Sequence, residues 1–181
     1  MKVRSTPLAG LLIIEPTVFH DQRGFFYESF NARRFAALTG VDAVFVQDNH
    51  SRSAKGVLRG LHYQIQQAQG KLVRASVGSI YDVVLDMRKS SPTFGHWQGL
   101  DLSAENKLAL WVPPGFAHGF YVTSDVAEVQ YQATDYWAPG FERAVLWNDP
   151  ALGIAWPLDG PPLLSAKDQA AAPLAAAECY P

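Results

Sequence analysis

Leu72-Val73-Arg74-Ala75-Ser76-Val77-Gly78-Ser79-Ile80-Tyr81-Asp82-Val83-Val84-Leu85-Asp86 is two β-type runs joined by a tight turn at Val77-Gly78-Ser79-Ile80. In the first run Val73, Ala75 and Val77 share one face, the period of two that a strand imposes. The pattern repeats on both sides. Leu11–Ile14, Gly24–Phe30, Ala43–Val46 and Val57–Tyr63 precede it, and Gln98–Leu102, Leu108–Val112, Gly119–Val122 and Ala127–Ala133 follow. Glycine, proline, serine and asparagine punctuate these runs at short intervals, as in a β-sandwich or barrel. One helix is expected over Ala32–Thr39, with Asn31 as N-cap and Gly40 past its end. After Trp137 the strand signal fades, and an Ala-rich tail from Ala166 to Glu178 reads as a short helical piece broken at Pro173. The expectation is an all-β fold with a few short peripheral helices, in one domain spanning 1–181.

Composition narrows the function classes. The 181 residues are 48% hydrophobic and 18% charged, ample for a core. Fifteen Lys and Arg against seventeen Asp and Glu give a net charge of −2, which argues against a coat for nucleic acid or for an anionic membrane. A small basic pocket for an anionic ligand remains compatible with that balance. The single Cys179 permits no internal disulfide and no Cys-based zinc site. Lys2 and Arg4 precede an apolar run broken by Gly10 and stopped by Glu15, too short for a signal peptide. No stretch approaches the ~20 apolar residues of a spanning helix. A soluble protein of a reducing compartment, the cytoplasm, is expected.

Two histidines carry motif-like surroundings. Gly56-Val57-Leu58-Arg59-Gly60-Leu61-His62 and Pro113-Pro114-Gly115-Phe116-Ala117-His118 resemble the two histidine motifs of the cupin superfamily. Metal-binding cupins place a second histidine two residues after the first and a carboxylate soon after. Here Gln64 stands at that position, followed by Ile65, Gln66, Gln67 and Ala68, and two histidines are too few for a catalytic transition-metal site. The resemblance is to a jelly roll without its metal box. His62 then reads either as a buried histidine bonded to backbone or as a general base, since imidazole titrates near neutrality. Lys71 shares its face with Val73, Ala75 and Val77; it is a strand-end surface cation or, facing a lumen, a stabiliser of an oxyanion or enolate. Tyr131 alternates inward with Val129 and Ala133, a core tyrosine or an acid. Arg23, Arg59, Arg74, Arg88 and Arg143 offer cations for phosphate. Strict alternation puts Arg59 and His62 on opposite faces unless Gly60 hosts a bulge.

An ordered set of motifs is more specific. Arg23–Phe26, Gln47–Ser51, Arg59–Gln64, Gln69–Arg74, Ser91–Gly95, Leu102–Asn106, Gly115–Phe120, Leu146–Pro150 and Leu164–Asp168 together resemble the dTDP-4-dehydrorhamnose 3,5-epimerase family, from about residue 8 to 168. The resemblance implies a cofactor-free, homodimeric jelly roll. It implies inversion of C3 and C5 of dTDP-4-dehydro-6-deoxy-D-glucose through enolates of the C4 ketone. By the family pattern His62 is the base, Asp168 its orienting carboxylate, Lys71 the enolate's cation and Tyr131 the acid on the far side. Arg23, Glu28, Gln47, Asn49, Arg59, His118, Glu142 and Lys167 map onto nucleotide-sugar contacts. Arg23 and Glu28 would come from the partner subunit's N-terminal segment. Trp137 stands where a thymine-stacking tyrosine is expected. A sister enzyme inverting one carbon, and a metal-free binding module without turnover, are the competing readings.

Overall fold

The computed structural model describes all residues, Met1–Pro181. Thirteen strands form two facing sheets and a separate hairpin. They are β1 (Lys2–Ser5), β2 (Leu12–Glu15), β3 (Phe19–Asp21), β4 (Gly24–Phe26), β5 (Gln47–Ala54), β6 (Leu58–Gln64) and β7 (Lys71–Val77). After these come β8 (Ser79–Asp86), β9 (Trp97–Ser103), β10 (Ala109–Val112), β11 (Phe116–Val122), β12 (Val126–Ala133) and β13 (Glu142–Ala144). The six-stranded sheet runs β1-β2-β10-β7-β12-β5 and the five-stranded sheet β13-β6-β11-β8-β9, while β3 and β4 pair only with each other. This is the expected jelly-roll sandwich. Adjacent strands in both sheets are antiparallel.

The turn at Gly78 is present, but it is a corner and not a hairpin: β7 lies in one sheet and β8 in the other. Gly78 adopts φ +68°, and a Cβ there would sit 2.0 Å from the Val126 carbonyl oxygen. Between the sheets Val73, Leu110, Val112 and Val129 meet Ile80, Val84, Leu102, Phe116, Phe120 and Val122. The five-stranded sheet is covered on its other face as well. Leu61, Tyr63, Val83, Leu85, Met87 and Ala117 lie beneath Leu152, Ile154, Trp156, Leu174 and Tyr180 of the C-terminal third. Double burial explains why β8 reads as a nearly continuous apolar run and why every residue of β11 is buried.

Helix α1 spans Ala32–Thr39 as expected; the Asn31 side chain caps its start and Gly40, at φ 71°, ends it. Phe35 of α1 inserts among Phe30, Phe45 and Trp111 with ring centroids 5.4–6.1 Å away, sealing part of the six-stranded sheet's outer face. Three sequence expectations shift. Ala43–Val46 is irregular, and the strand begins at Gln47; Gly24–Phe30 is strand only to Phe26; the tail holds α2 (Ala166–Gln169) and a single 3-10 turn at Leu174–Ala176 on either side of Pro173. Gln47–Ala54 is an edge strand of polar residues, which carries no apolar alternation to read.

Candidate active site

A cleft of about 440 Å³ opens between the sheets, within the usual range for small-molecule sites. From the five-stranded sheet it receives Arg59 and His62 of β6 and His118 of β11; from the six-stranded sheet, Lys71 of β7 and Tyr131 of β12; and from the C-terminal segment Ser165, Lys167 and Asp168. The two faces of any ligand in the cleft would therefore meet side chains from different sheets.

Register resolves the tension between Arg59 and His62. On β11 the step from His118 to Phe120 spans two residues, whereas the partners on β6, His62 and Arg59, are three apart. The extra residue is a bulge at Gly60-Leu61, and it brings both side chains to the cleft. Gly60 is required there: its φ is +118°, and a Cβ would lie 2.6 Å from Gly119 Cα. Arg59 Nε is anchored by Ser53 Oγ at 3.1 Å.

His62 Nε2 lies 2.5 Å from Asp168 Oδ1. Asp168 is held in turn by Ser165, whose hydroxyl donates to Oδ2 at 2.8 Å and accepts from the Asp168 amide at 3.1 Å. Burial disfavours the ionised Asp168 carboxyl. The hydrogen bond and charge of His62, the Ser165 hydroxyl and Lys167 outweigh it and hold the group below the usual aspartate range. A carboxylate on Nε2 leaves the lone pair of the imidazole on Nδ1.

Lys71 has no ion pair in the structure, and its ammonium lies 5.9 Å from the centroid of the Tyr131 ring. Burial brings its pKa down to about 8, against the opposing pull of Glu142 and Asp82. The Tyr131 phenol moves the other way: burial, with Glu142 nearby, raises it and keeps the proton on. His118 Nε2 is 2.8 Å from the buried Asp82 Oδ2. Glu142, on β13, pairs with Lys167 at 2.5 Å. The structure thus gathers His62, Lys71, Tyr131, Asp168, Arg59, His118, Glu142 and Lys167 about one cleft.

Gln47, Asn49 and Trp137 form a neighbouring group. Trp137 N–H donates to Gln47 Oε1 at 2.9 Å, Gln47 Nε2 donates to Asn49 Oδ1 at 3.0 Å, and Asn49 lies across from Tyr131 in the β5–β12 ladder. Trp137 as a residue is 58% exposed. Arg23 and Glu28 are not brought to the cleft within this chain. Arg23 pairs with Asp21 at the tip of the β3–β4 hairpin, and Glu28 bonds Asn31 and Arg34 at the start of α1. Sequence reading missed Ser165, Ser53 and Asp82. Ser165 had a signal, since Ser-x-x-Asp ahead of a helical stretch is an N-capping pattern; Asp82 had one as a carboxylate set inside the apolar run Ile80–Leu85, and Ser53 had none.

The fold and cleft define a jelly-roll protein whose cleft sets a carboxylate-paired imidazole on one wall against a phenol and a lysine ammonium on the other. The family profile for dTDP-4-dehydrorhamnose 3,5-epimerase matches residues 5–176. A curated dTDP-4-dehydrorhamnose 3,5-epimerase of Pseudomonas aeruginosa is 57% identical over the full length of both chains. One of Salmonella typhimurium is 58% identical over 96% of this chain and 95% of its own. The crystal structure of dTDP-6-deoxy-D-glucose-3,5-epimerase from Legionella pneumophila, in complex with dTDP-4-keto-L-rhamnose, superposes with TM-score 0.96 at 52% identity, covering 98% of this chain and 94% of that one. The chain belongs to the dTDP-4-dehydrorhamnose 3,5-epimerase family.

Proposed function

We propose that the chain inverts C3 and C5 of dTDP-4-dehydro-6-deoxy-D-glucose to give dTDP-4-dehydro-L-rhamnose, in dTDP-L-rhamnose biosynthesis. The observation that carries this reading is the His62–Asp168 pair facing Tyr131 from the opposite sheet, with Lys71 in the same cleft. Protons alpha to the C4 ketone are acidic because the carbanion spreads onto the ketone oxygen. His62 Nδ1 takes the proton, and Asp168 stabilises the imidazolium that results. Lys71, charged at neutral pH, stabilises the enolate oxygen. Tyr131 returns a proton from the far side, which inverts the carbon. The steps need no redox cofactor, since electrons return to the carbon they left.

Arg59, His118, Glu142 and Lys167 take the polar groups of the nucleotide sugar, with Gln47 and Asn49 beside Trp137 at the base. Arg59 serves the diphosphate, for which a guanidinium fork is suited. Arg23 and Glu28 serve the neighbouring site of a homodimer. Residues 1–181 act as one domain, in the cytoplasm; no helix is long and apolar enough to cross a membrane.

The test is incubation with dTDP-4-dehydro-6-deoxy-D-glucose in D₂O, read by NMR and mass spectrometry. Deuterium at both C3 and C5, with L-rhamno product on reduction, is expected. Label at one carbon only would make the chain a single-site epimerase. Binding without exchange would replace the catalytic reading by a binding one.

A further inference from the structure

Gln64 occupies the place, two residues after His62, where metal-binding relatives of this fold carry a second histidine, and the chemistry above makes no use of it. It is 4% exposed, yet its amide does not reach the cleft. Nε2 donates to the carbonyls of Gln67 at 2.7 Å and Tyr136 at 3.2 Å, and Oε1 accepts from the Ala138 amide at 2.9 Å. Two further glutamines hold the same loop. Gln69 Nε2 donates to the Asp135 carbonyl at 2.8 Å, and Gln47 Oε1 accepts from the Trp137 amide at 2.9 Å. The loop backbone from Asp135 to Ala138 is thus fixed by buried or half-buried amides, while its two aromatic residues, Tyr136 at 63% and Trp137 at 58%, stay exposed.

We infer that Gln64 is a positioning residue for nucleotide capture: its amide fixes the Tyr136–Trp137 loop as a preformed aromatic platform for a nucleobase and ties that platform to the strand bearing His62. The inference rests on the proposed nucleotide-sugar substrate and goes beyond it by assigning a role to a side chain that touches neither ligand nor reacting atoms. Preorganisation lowers the ordering cost of binding. Its loss is therefore read in affinity for the nucleoside half.

The test is a cycle of Gln64→Met, Trp137→Ala and the double variant. dTDP affinity is measured by titration calorimetry, and kcat and KM are measured with the dTDP-sugar. In Gln64→Met the dTDP Kd and the KM should rise about tenfold with kcat within about twofold. The double variant should be no weaker than Trp137→Ala alone, because the two residues act through one platform. Gln64→Glu keeps the acceptor for Ala138 but sets a carboxylate oxygen against the Gln67 and Tyr136 carbonyls, so it should weaken dTDP binding at least as much as Gln64→Met; it serves as the reading if Gln64→Met does not fold. Unchanged dTDP affinity in either variant, full additivity in the cycle, or a fall in kcat alone would overturn the inference. So would a wild-type chain that does not bind dTDP. A wild type that binds dTDP but exchanges no deuterium would overturn the epimerase reading alone, leaving the platform to be judged by dTDP affinity.

Discussion

Lys71 carries its charge in a place that resists it. Its pKa of about 8 lies below the ordinary 10.5 because burial penalises the ammonium. Between those two values the unfolded chain binds a proton that the folded chain does not, so stability rises with pH across that window; below about pH 8 the penalty is fully present. At ~1.4 kcal/mol per pH unit it is at most about 3 kcal/mol. Lys71→Met should therefore abolish turnover while raising stability by about 1–3 kcal/mol at pH 7, measured by guanidinium unfolding; a less stable variant would mean that the cation is well compensated. Activity has the opposite dependence, since the enolate needs the ammonium. kcat/KM should fall as pH rises through about 8, and a profile flat to pH 10 would remove Lys71 from the chemistry. His62→Ala removes the base and should cost ~10²–10⁴-fold in kcat with the fold intact. Asp168→Asn keeps a polar group beside Nε2 but loses the charge that stabilises the imidazolium. It too should lower kcat far more than it raises KM, as steady-state kinetics would show.

Among the secondary-structure elements, β6 decides how much chemistry one strand can deliver. An uninterrupted strand would send Arg59 away from the cleft that His62 faces; the bulge spends one residue to bring both in. Gly60→Ala puts a methyl group 2.6 Å from backbone at a positive φ, so it should destabilise by at least about 2 kcal/mol and lower kcat/KM by displacing His62. Gly56→Ala, at φ +81° with open space around it, is the control and should cost about 1 kcal/mol, read from the same unfolding curves. The inward set Lys71, Tyr131 and His62 was legible because period-two alternation is a local property. The bulge was legible only as a conflict, since nothing in Arg59-Gly60-Leu61-His62 says which way a strand yields. Asp168 was invisible to periodicity: it lies 106 residues from His62, on a four-residue helix whose placement depends on the C-terminal segment packing under the five-stranded sheet. Gln47–Ala54 was missed for a related reason, because an edge strand that buries little need not alternate.

Across the whole molecule, one apolar feature of the surface is left largely in the open, although Lys107 Nζ lies 4.4 Å from the centroid of its Phe25 ring. The β3–β4 hairpin presents Phe19 at 62%, Phe25 at 58% and Phe26 at 71% exposure, and its tip carries Arg23, paired only with Asp21. Three phenylalanines in the open on two three-residue strands are costly for a chain that stays alone, and a second copy is the proposed cover. In a two-fold dimer each hairpin would reach the other subunit's cleft, so that Arg23 and His62 of one working site come from different chains. The consequence can be measured by complementation. Arg23→Ala dimers would lack the cation at both sites and His62→Ala dimers the base at both, so each should be nearly inactive. Subunits exchanged at random make half the dimers mixed, and one of the two sites in a mixed dimer keeps both Arg23 and His62. About a quarter of wild-type activity should then return on mixing. If Arg23 served its own chain, every site would lack one group: the His62-bearing subunit carries Arg23→Ala and the Arg23-bearing subunit carries His62→Ala, and no activity would return. A fully active Arg23→Ala enzyme would remove the residue from the site altogether.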